Sequence, residues 1–483
     1  MGLATLRSGL VCAGAWLVSA GWVAGQDWPQ WRGPNRDAKA TGFNAPANWP
    51  QELTQKWKVT VGDGVATPAV VDGRVFVFTR QGGNEVIRAL DANTGDEIWQ
   101  DRYAAEAPTG GASQFPGPRS SPTVADGKVV TLGVQGTLWC HDARSGDLLW
   151  RKDDFDNEVP DFFVGSSPIA VDGMLIAQLG GEEEGGVIAY DLASGDERWR
   201  WTGDSPAYAS PVLMTMDGTK TILAPTNEKL VAIGVSNGKT MWEIPYRQGG
   251  RYNTITPIVA GDTIIVAGPG SGFSAIKLVK ANQSEPTFGE ERVWRNTDNS
   301  VQFSTPVLKD GLLFGLTSAG QLFCINTKNG EETAWSVPIN PQAEGGGERR
   351  RQERSVESRP GAKPQAAFVQ FVQQDEREER ERFDRDRRRG DGRGRDGEGR
   401  GRGGRGGGRG PSRSGYGSIV DAADVLLALS PVGELVVFKP TDEAFVEAAR
   451  YKVADEGTFA YPVAVGDAIY IKDGDSVTRW DVK

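Results

Sequence analysis

One short phrase recurs along this chain and decides what it can fold into. Residues 89–99 read Ala-Leu-Asp-Ala-Asn-Thr-Gly-Asp-Glu-Ile-Trp, and residues 189–199 read Ala-Tyr-Asp-Leu-Ala-Ser-Gly-Asp-Glu-Arg-Trp. Residues 140–150 open on Cys140 instead of Ala, residues 232–242 lose the Asp, and residues 324–335 carry one extra residue. In each copy a strand ends at the small residue, Asp or Asn with Gly makes a tight turn, and a short strand leads to Trp. A unit of roughly 40 to 50 residues that recurs in this way cannot bury its apolar face alone, so it must stack on its neighbours.

The rest of each unit is equally regular. A pair ending in Pro opens it: Thr67-Pro68, Ser121-Pro122, Ser167-Pro168, Ser210-Pro211, Thr256-Pro257, Thr305-Pro306 and Tyr461-Pro462. An apolar strand follows, then a hairpin signal such as Asp72-Gly73, Asp126-Gly127 or Gly261-Asp262, then two further strands and the Gly turn. Four antiparallel strands per unit make a propeller blade. The outer-strand aromatics are Trp57, Trp99, Trp150, Trp199, Trp242, Trp294, Trp335 and Tyr451, with gaps of 42, 51, 49, 43, 52, 41 and 116 residues. The last gap holds an insertion. The strand around Trp57 has no three strands before it, and residues 459–482 lack a fourth after them. The expected fold is therefore all-β: an eight-bladed propeller of four-stranded antiparallel blades, closed by the N-terminal strand joining the C-terminal blade. Closure also hides edge strands.

The chain divides accordingly. Residues 1–25 read as a secretory signal, with Arg7, an apolar run over residues 10–23 and the small-residue site Val23-Ala24-Gly25. Cys12 follows Val11, a poor neighbour for a lipidated Cys, so lipidation is not expected. No later run approaches the ~20 apolar residues of a membrane helix, and the expected location is exported, periplasmic or extracellular. Residues 26–50 form a Trp/Pro/Gly-rich lead-in, expected to pack its Trp residues along the outside of the fold. Residues 51–339 hold the closing strand and blades 1–6, and residues 418–483 hold blades 7 and 8. Between them, residues 340–417 are an Arg/Gly-rich insertion. It carries +6 over residues 341–416, which leaves −16 on the rest of the chain. With so few apolar residues it is expected to be a disordered, solvated linker on the inter-blade loop face, contact with an anionic partner being the alternative.

Composition removes several function classes. The formal charge of −10 gives no global basic footprint for nucleic acid, and three Cys are too few for a disulfide framework. His141 is the sole histidine, which argues against His-clustered metal sites and a Ser/His/Asp triad; its place in a repeat turn reads as structural. Cys140 and Cys324 occupy equivalent positions of blades 2 and 6, on opposite sides of an eight-fold ring and too far apart for a disulfide. They read as buried small apolar residues. The inter-blade loops converge on the channel mouth and are long, polar and aromatic. The candidate binding residues there are Arg119, Phe163, Tyr208, Arg247, Arg251, Tyr252, Gln302 and Phe303, with Phe459 beside them. Such a ring suits planar or anionic ligands or an extended peptide; equally, its aromatics can simply plug the channel. The acidic loop 153–165 lacks the spaced ligand order of an EF-hand, so no metal site is expected.

The repeated Ala-x-Asp-x-x-Thr/Ser-Gly-x-x-x-Trp resembles the tryptophan-docking repeat of pyrroloquinoline quinone (PQQ) propellers. Residues 28–35 (Trp-Pro-Gln-Trp-Arg-Gly-Pro-Asn), 118–122 (Pro-Arg-Ser-Ser-Pro) and 136–140 (Gly-Thr-Leu-Trp-Cys) are similar to exported PQQ-like propellers of the planctomycete type, related to the BamB outer-membrane assembly family. The resemblance implies that Trp57, Trp99, Trp150, Trp199, Trp242, Trp294 and Trp335 dock each blade on the next. Quinoprotein dehydrogenases on this fold hold PQQ with a floor Trp, adjacent disulfide-bonded Cys, calcium and a catalytic Asp. This chain has no Cys-Cys pair, and no catalytic residue is assigned. The expectation is a monomeric, non-catalytic scaffold, without cofactor, that binds a protein or polysaccharide partner in the cell envelope. The alternatives are a PQQ- and calcium-dependent oxidoreductase with a divergent site, and a carbohydrate-binding propeller.

Overall fold

The computed structural model describes residues 27–155, 158–247, 252–280, 288–341 and 416–483. These residues form eight four-stranded antiparallel sheets. Blade 1 runs from Ala69–Val71 to Glu97–Ala104, blade 2 from Thr123–Ala125 to Leu148–Lys152, and blade 3 from Ile169–Val171 to Glu197–Trp201. Blade 4 runs from Val212–Met216 to Thr240–Pro245, blade 5 from Ile258–Ala260 to Phe288–Asn296, and blade 6 from Val307–Lys309 to Trp335–Pro338. Blade 7 runs from Ser418–Ala422 to Glu447–Lys452. Blade 8 takes its inner three strands from the C-terminus (Val463–Val465, Ala468–Lys472, Ser476–Asp481) and its outermost from Thr54–Thr60, paired as Val59↔Val477.

The middle strands are apolar throughout because both faces of a blade are covered. In Lys128–Leu132 of blade 2, Val129 packs with Phe76, Ile87 and Ala89 of blade 1. The next residue, Val130, packs with Leu175, Ala177 and Tyr190 of blade 3. The strand period of two therefore sends alternate residues to opposite neighbours. Both Cys140 and Cys324 are buried and free, and burial pushes their thiols up to about 12.

Hairpin chemistry sets the other end of the blades. Asp72-Gly73, Asp126-Gly127, Asp172-Gly173, Asp217-Gly218 and Asp310-Gly311 all have positive φ at both positions, near 50° at Asp and 70–80° at Gly. That is the mirror-image turn whose twist matches the flanking strands.

The repeated phrase forms the docking joint. Each Asp accepts from the backbone of its own turn, as Asp191 does from Ala193 and Ser194. The Gly that follows lies against the Trp of the preceding blade. A Cβ on Gly95, Gly146, Gly195 or Gly238 would stand 2.6–2.9 Å from a ring atom of Trp57, Trp99, Trp150 or Trp199. Each of those Trp residues also donates its indole N–H across the joint, to Ala92, Ala143, Leu192 and Val235 carbonyls at 3.2, 3.2, 3.1 and 2.7 Å. Trp335 does the same to Thr441 at 2.8 Å, and Trp294 lies on Gly330. Trp242 is buried; the turn that would receive it falls within residues 281–287, outside the described residues. At the closing joint Tyr451 takes the Trp position and donates to the Pro50 carbonyl at 2.6 Å.

Nearer the axis, a second set of bonds links the blades. The Ser or Thr before six of the seven Pro residues offers its hydroxyl to the preceding blade. The Thr67, Ser121, Ser167, Ser210 and Thr256 amides donate to the hydroxyls of Ser121, Ser167, Ser210, Thr256 and Thr305 at 2.9–3.3 Å. Tyr461 continues the series into Thr67 at 3.0 Å. The choice of Ser or Thr at these positions is thus a belt of inter-blade bonds around the channel.

His141 belongs to this architecture. Its ring is fully buried in the blade 1–blade 2 joint, stacked near Trp99, with Nε2 2.9 Å from an Asp101 carboxylate oxygen. Burial holds its value below the ordinary 6.5, outweighing Asp101. The neutral ring is therefore the form the fold prefers. Stability from this group is present above its unfolded value and is lost as pH falls below about 6.5 through the folded value. Urea midpoints at pH 7.5 and 5.5 are expected to fall further for the native protein than for His141→Gln. Equal falls would refute this.

Candidate binding face

The outer-to-inner connections between blades all lie on one face and bring their aromatic and Arg side chains to the channel mouth. Arg119, Tyr208, Phe303, Tyr416 and Phe459 stand two residues before Ser121, Ser210, Thr305, Ser418 and Tyr461, Tyr252 stands four before Thr256, and Phe162 stands five before Ser167. The structure gathers these residues into two aromatic clusters. Phe162, Tyr208 and Tyr252 meet edge-on at centroid distances of 5.2–6.3 Å. The Phe162 amide donates to the Tyr208 hydroxyl at 2.8 Å, and the Tyr252 hydroxyl donates to Asp161. On the other side, Phe459 packs against Phe115 at 4.9 Å and Tyr416 at 5.0 Å. Phe303 stacks flat on Tyr416 at 4.6 Å and keeps 42% of its surface exposed. Edge-on and offset ring pairs of this kind add about 0.5–1.5 kcal/mol each beyond area burial, so the mouth is held firmly.

Arg119 joins the clusters. Its guanidinium donates to the carbonyl of Phe162 on one side, and to Ala112 at 3.1 Å and Phe115 at 3.3 Å on the other. Burial draws its value below the usual range, and the Tyr208 and Tyr416 hydroxyls act in the opposite sense. Its donors are committed to these carbonyls, which makes it a brace between loops.

The remaining sequence candidates fall elsewhere. Phe163 is half-buried in a left-handed conformation (φ 65°), and its neighbour Phe162 makes the ring contacts. Gln302 accepts the Thr254 hydroxyl through its backbone carbonyl, pinning the Phe303 loop to blade 5. Arg247 lies outside the aromatic mouth, exposed and paired with Glu228 at 2.6 Å in a shallow polar groove that Glu182, Glu183 and Asp204 also line. Arg251 lies outside the described residues. Tyr416 was the residue that sequence reasoning missed. Its signal was the same two-residue offset, counted from Ser418, but blade 7 has Ile419 where the other blades have Pro.

The acidic loop is engaged internally. Asp153 accepts from Arg151 at 2.9 Å, Asp154 from the Tyr190 hydroxyl at 2.9 Å, and Asp161 from Tyr252. Among the described residues, no group of three or more His, Cys, Asp or Glu side chains gathers as a metal site.

The opposite side of the channel corrects the expectation for the lead-in. Residues 27–44 do not pack along the outside. Trp28 is 1% exposed, against the inner strand of blade 1, and Arg32 and Arg36 are buried inside the ring at 1% and 3%. The physical reason is that innermost strands leave one edge of N–H and C=O groups facing the channel, and these groups need partners.

Fold and joints together define a closed propeller whose blades dock through Trp on Gly. The sequence model of the family described as "Outer membrane protein assembly factor BamB" matches residues 51–115 and 83–337, and the chain belongs to that family. Among curated relatives, the Outer membrane protein assembly factor BamB of Yersinia pestis is 23% identical over 276 residues, covering 55% of this chain and 63% of that protein. The quinohemoprotein alcohol dehydrogenase ADH-IIG of Pseudomonas putida is 31% identical over 153 residues, covering 31% of this chain and 21% of that enzyme. The chain thus spans about a fifth of that enzyme's length. Among solved structures, BamB from Moraxella catarrhalis superposes with a TM-score of 0.53 at 13% identity, covering 89% of this chain and 99% of that one. The ADHIIG enzyme of Pseudomonas putida gives 0.61 at 13% identity, covering 95% and 80%. These likenesses concern the fold.

Proposed function

We propose that this protein is a non-catalytic scaffold of the cell envelope that binds a protein partner through its loop face. The observation that carries the reading is the braced aromatic mouth, where Phe303 presents an open ring stacked on Tyr416 and a second cluster of Phe162, Tyr208 and Tyr252 stands on the other side. Rigid aromatic groups that lose little entropy on binding are the usual anchors of protein interfaces. Family membership and the BamB relatives support an envelope location, reached by way of the signal expected in residues 1–25, and support a protein as the partner. No helix among the described residues is long and apolar enough to cross a membrane.

The PQQ alternative fits the residues less well. Arg32 and Arg36 are buried inside the ring with Trp31 between them, Asp153, Asp154 and Asp161 of the acidic loop are engaged, and the two described Cys are free and far apart in sequence. Polysaccharide is the remaining partner class, and the same experiment separates it. A photo-crosslinking residue is placed at Phe303, and a control at Asp217 on the hairpin face. Protein adducts in the native envelope from position 303 alone are expected. Adducts from both positions, or from neither, would overturn the reading.

A further inference from the structure

The lead-in behaves as a ligand of the ring. Its backbone exchanges two bonds with blade 1, Trp28 N to Val70 O at 2.8 Å and Val70 N to Trp28 O at 2.9 Å. Blade 2 donates from Val124 N to Pro29 O at 2.8 Å. Blade 7 is reached through Ala40 N to Asp421 O at 2.8 Å and Asp421 N to Ala38 O at 2.9 Å, and blade 8 through Asn44 N to Gly466 O at 2.8 Å.

Two arginines complete the set with one repeated contact. Arg36 donates to the carbonyls of Ser167 and Pro168 in blade 3 at 2.9 and 2.7 Å. Arg32 donates to the carbonyls of Thr305 and Pro306 in blade 6 at 2.8 and 2.7 Å. Each guanidinium fork therefore seats on the consecutive carbonyls of a Ser/Thr-Pro pair, a geometry that a lysine cannot reproduce. Trp31 lies between the two cations, 5.6 Å from Arg32 and 5.3 Å from Arg36, with Tyr461 edge-on at 6.0 Å.

Three features distinguish this segment from an ordinary terminal tail. It has no helix or strand of its own, and its partners lie in six different blades. Arg32, Arg36 and Ala38 hold left-handed backbone (φ 61°, 58° and 59°), a conformation that non-glycine residues keep only when their surroundings over-determine it. The ring is also complete without it, since closure is made by Thr54–Thr60, and Ala47 and Asn48 between the two are exposed.

We propose that the channel wall on the hairpin side is a binding site for a turn-forming, arginine-bearing peptide, and that residues 27–44 of this chain are its resident, separable ligand. Access to the channel is then from the loop face alone.

The test uses the full chain with a protease site introduced at Ala47-Asn48 and cut after folding. The released segment is expected to stay with the ring through gel filtration. A labelled synthetic peptide of residues 27–44 is expected to exchange into the cut protein, and the same peptide carrying R32K and R36K is expected to bind at least ~10-fold more weakly, the scale of lost charge-assisted bonds. In the uncut protein, R32K/R36K is expected to speed hydrogen exchange at Val70, Val124, Asp421 and Gly466 by at least ~10-fold, with Gly95 and Gly195 unchanged. Spontaneous loss of the segment with exchange unchanged would mean a passive tail and overturn the proposal. Loss of protection at every blade in R32K/R36K would also overturn it, by making the segment part of one indivisible fold.

Discussion

Trp150→Ala is expected to lower stability by about 3–5 kcal/mol, the range for emptying a well-packed Trp site. Trp150 is 8% exposed, lies across Gly195 of the next blade and donates to Leu192 O at 3.1 Å. The substitution therefore removes apolar contact and leaves a joint between two blades open. Gly195→Ala should be damaging for the complementary reason. Its φ is 75°, which costs a non-glycine residue about 1–2 kcal/mol, and its new Cβ would stand 2.8 Å from Trp150. The pair supplies its own control. In the double variant the clash has no partner, so the two losses should add to less than their sum, by more than the ~0.5 kcal/mol expected for independent sites. Urea unfolding of the four proteins measures this. Strict additivity would mean that the Trp and the Gly do not act as one joint.

Val59→Pro should produce a loss of comparable size at the place where the ring closes. Val61 donates to Asp475 O at 2.8 Å, and Val59 pairs with Val477 two residues further on, so alternation along the antiparallel ladder places the Val59 amide in a bond as well. Proline removes that donor and adds steric conflict, a combined penalty on the order of 3 kcal/mol. The consequence extends beyond the lost bond. Freed of Thr54–Thr60, the strand Ser476–Asp481 becomes an open edge, and an open edge recruits other chains. Lower thermal stability together with concentration-dependent association is therefore expected, measured by calorimetry and light scattering. A variant with no added concentration-dependent association and an unchanged melting temperature would show that ring closure does not depend on this strand.

Blade number and closure could be read from the sequence because they rest on local chemistry that repeats. Asp-Gly at five hairpins, Gly before the docking strand in blades 1 to 4 and 6, and the Trp spacing all state their own geometry. The belt of Ser and Thr hydroxyls was hidden inside a legible motif. The Pro after each one announced a strand start, and nothing local showed that the preceding hydroxyl would reach the neighbouring blade. The lead-in was misread for a related reason. Its Trp and Arg residues follow no period, and the ring partners of the two arginines lie 131 to 429 positions away, from Arg36 and Ser167 to Arg32 and Tyr461. Tyr416 escaped because blade 7 lacks the Pro used to align the others. At the mouth, the aromatic character was legible residue by residue. The pairing was not, because Phe162 and Phe163 are equivalent by composition and only the left-handed turn at Phe163 decides which ring faces Tyr208 and Tyr252.

The central claim is that the propeller binds a partner without carrying out quinone chemistry. The most direct measurement is a titration of the purified mature protein with PQQ and calcium, followed by dye reduction with simple alcohols and sugars. The account predicts no stoichiometric uptake and no turnover. Saturable uptake with alcohol-dependent dye reduction would contradict it.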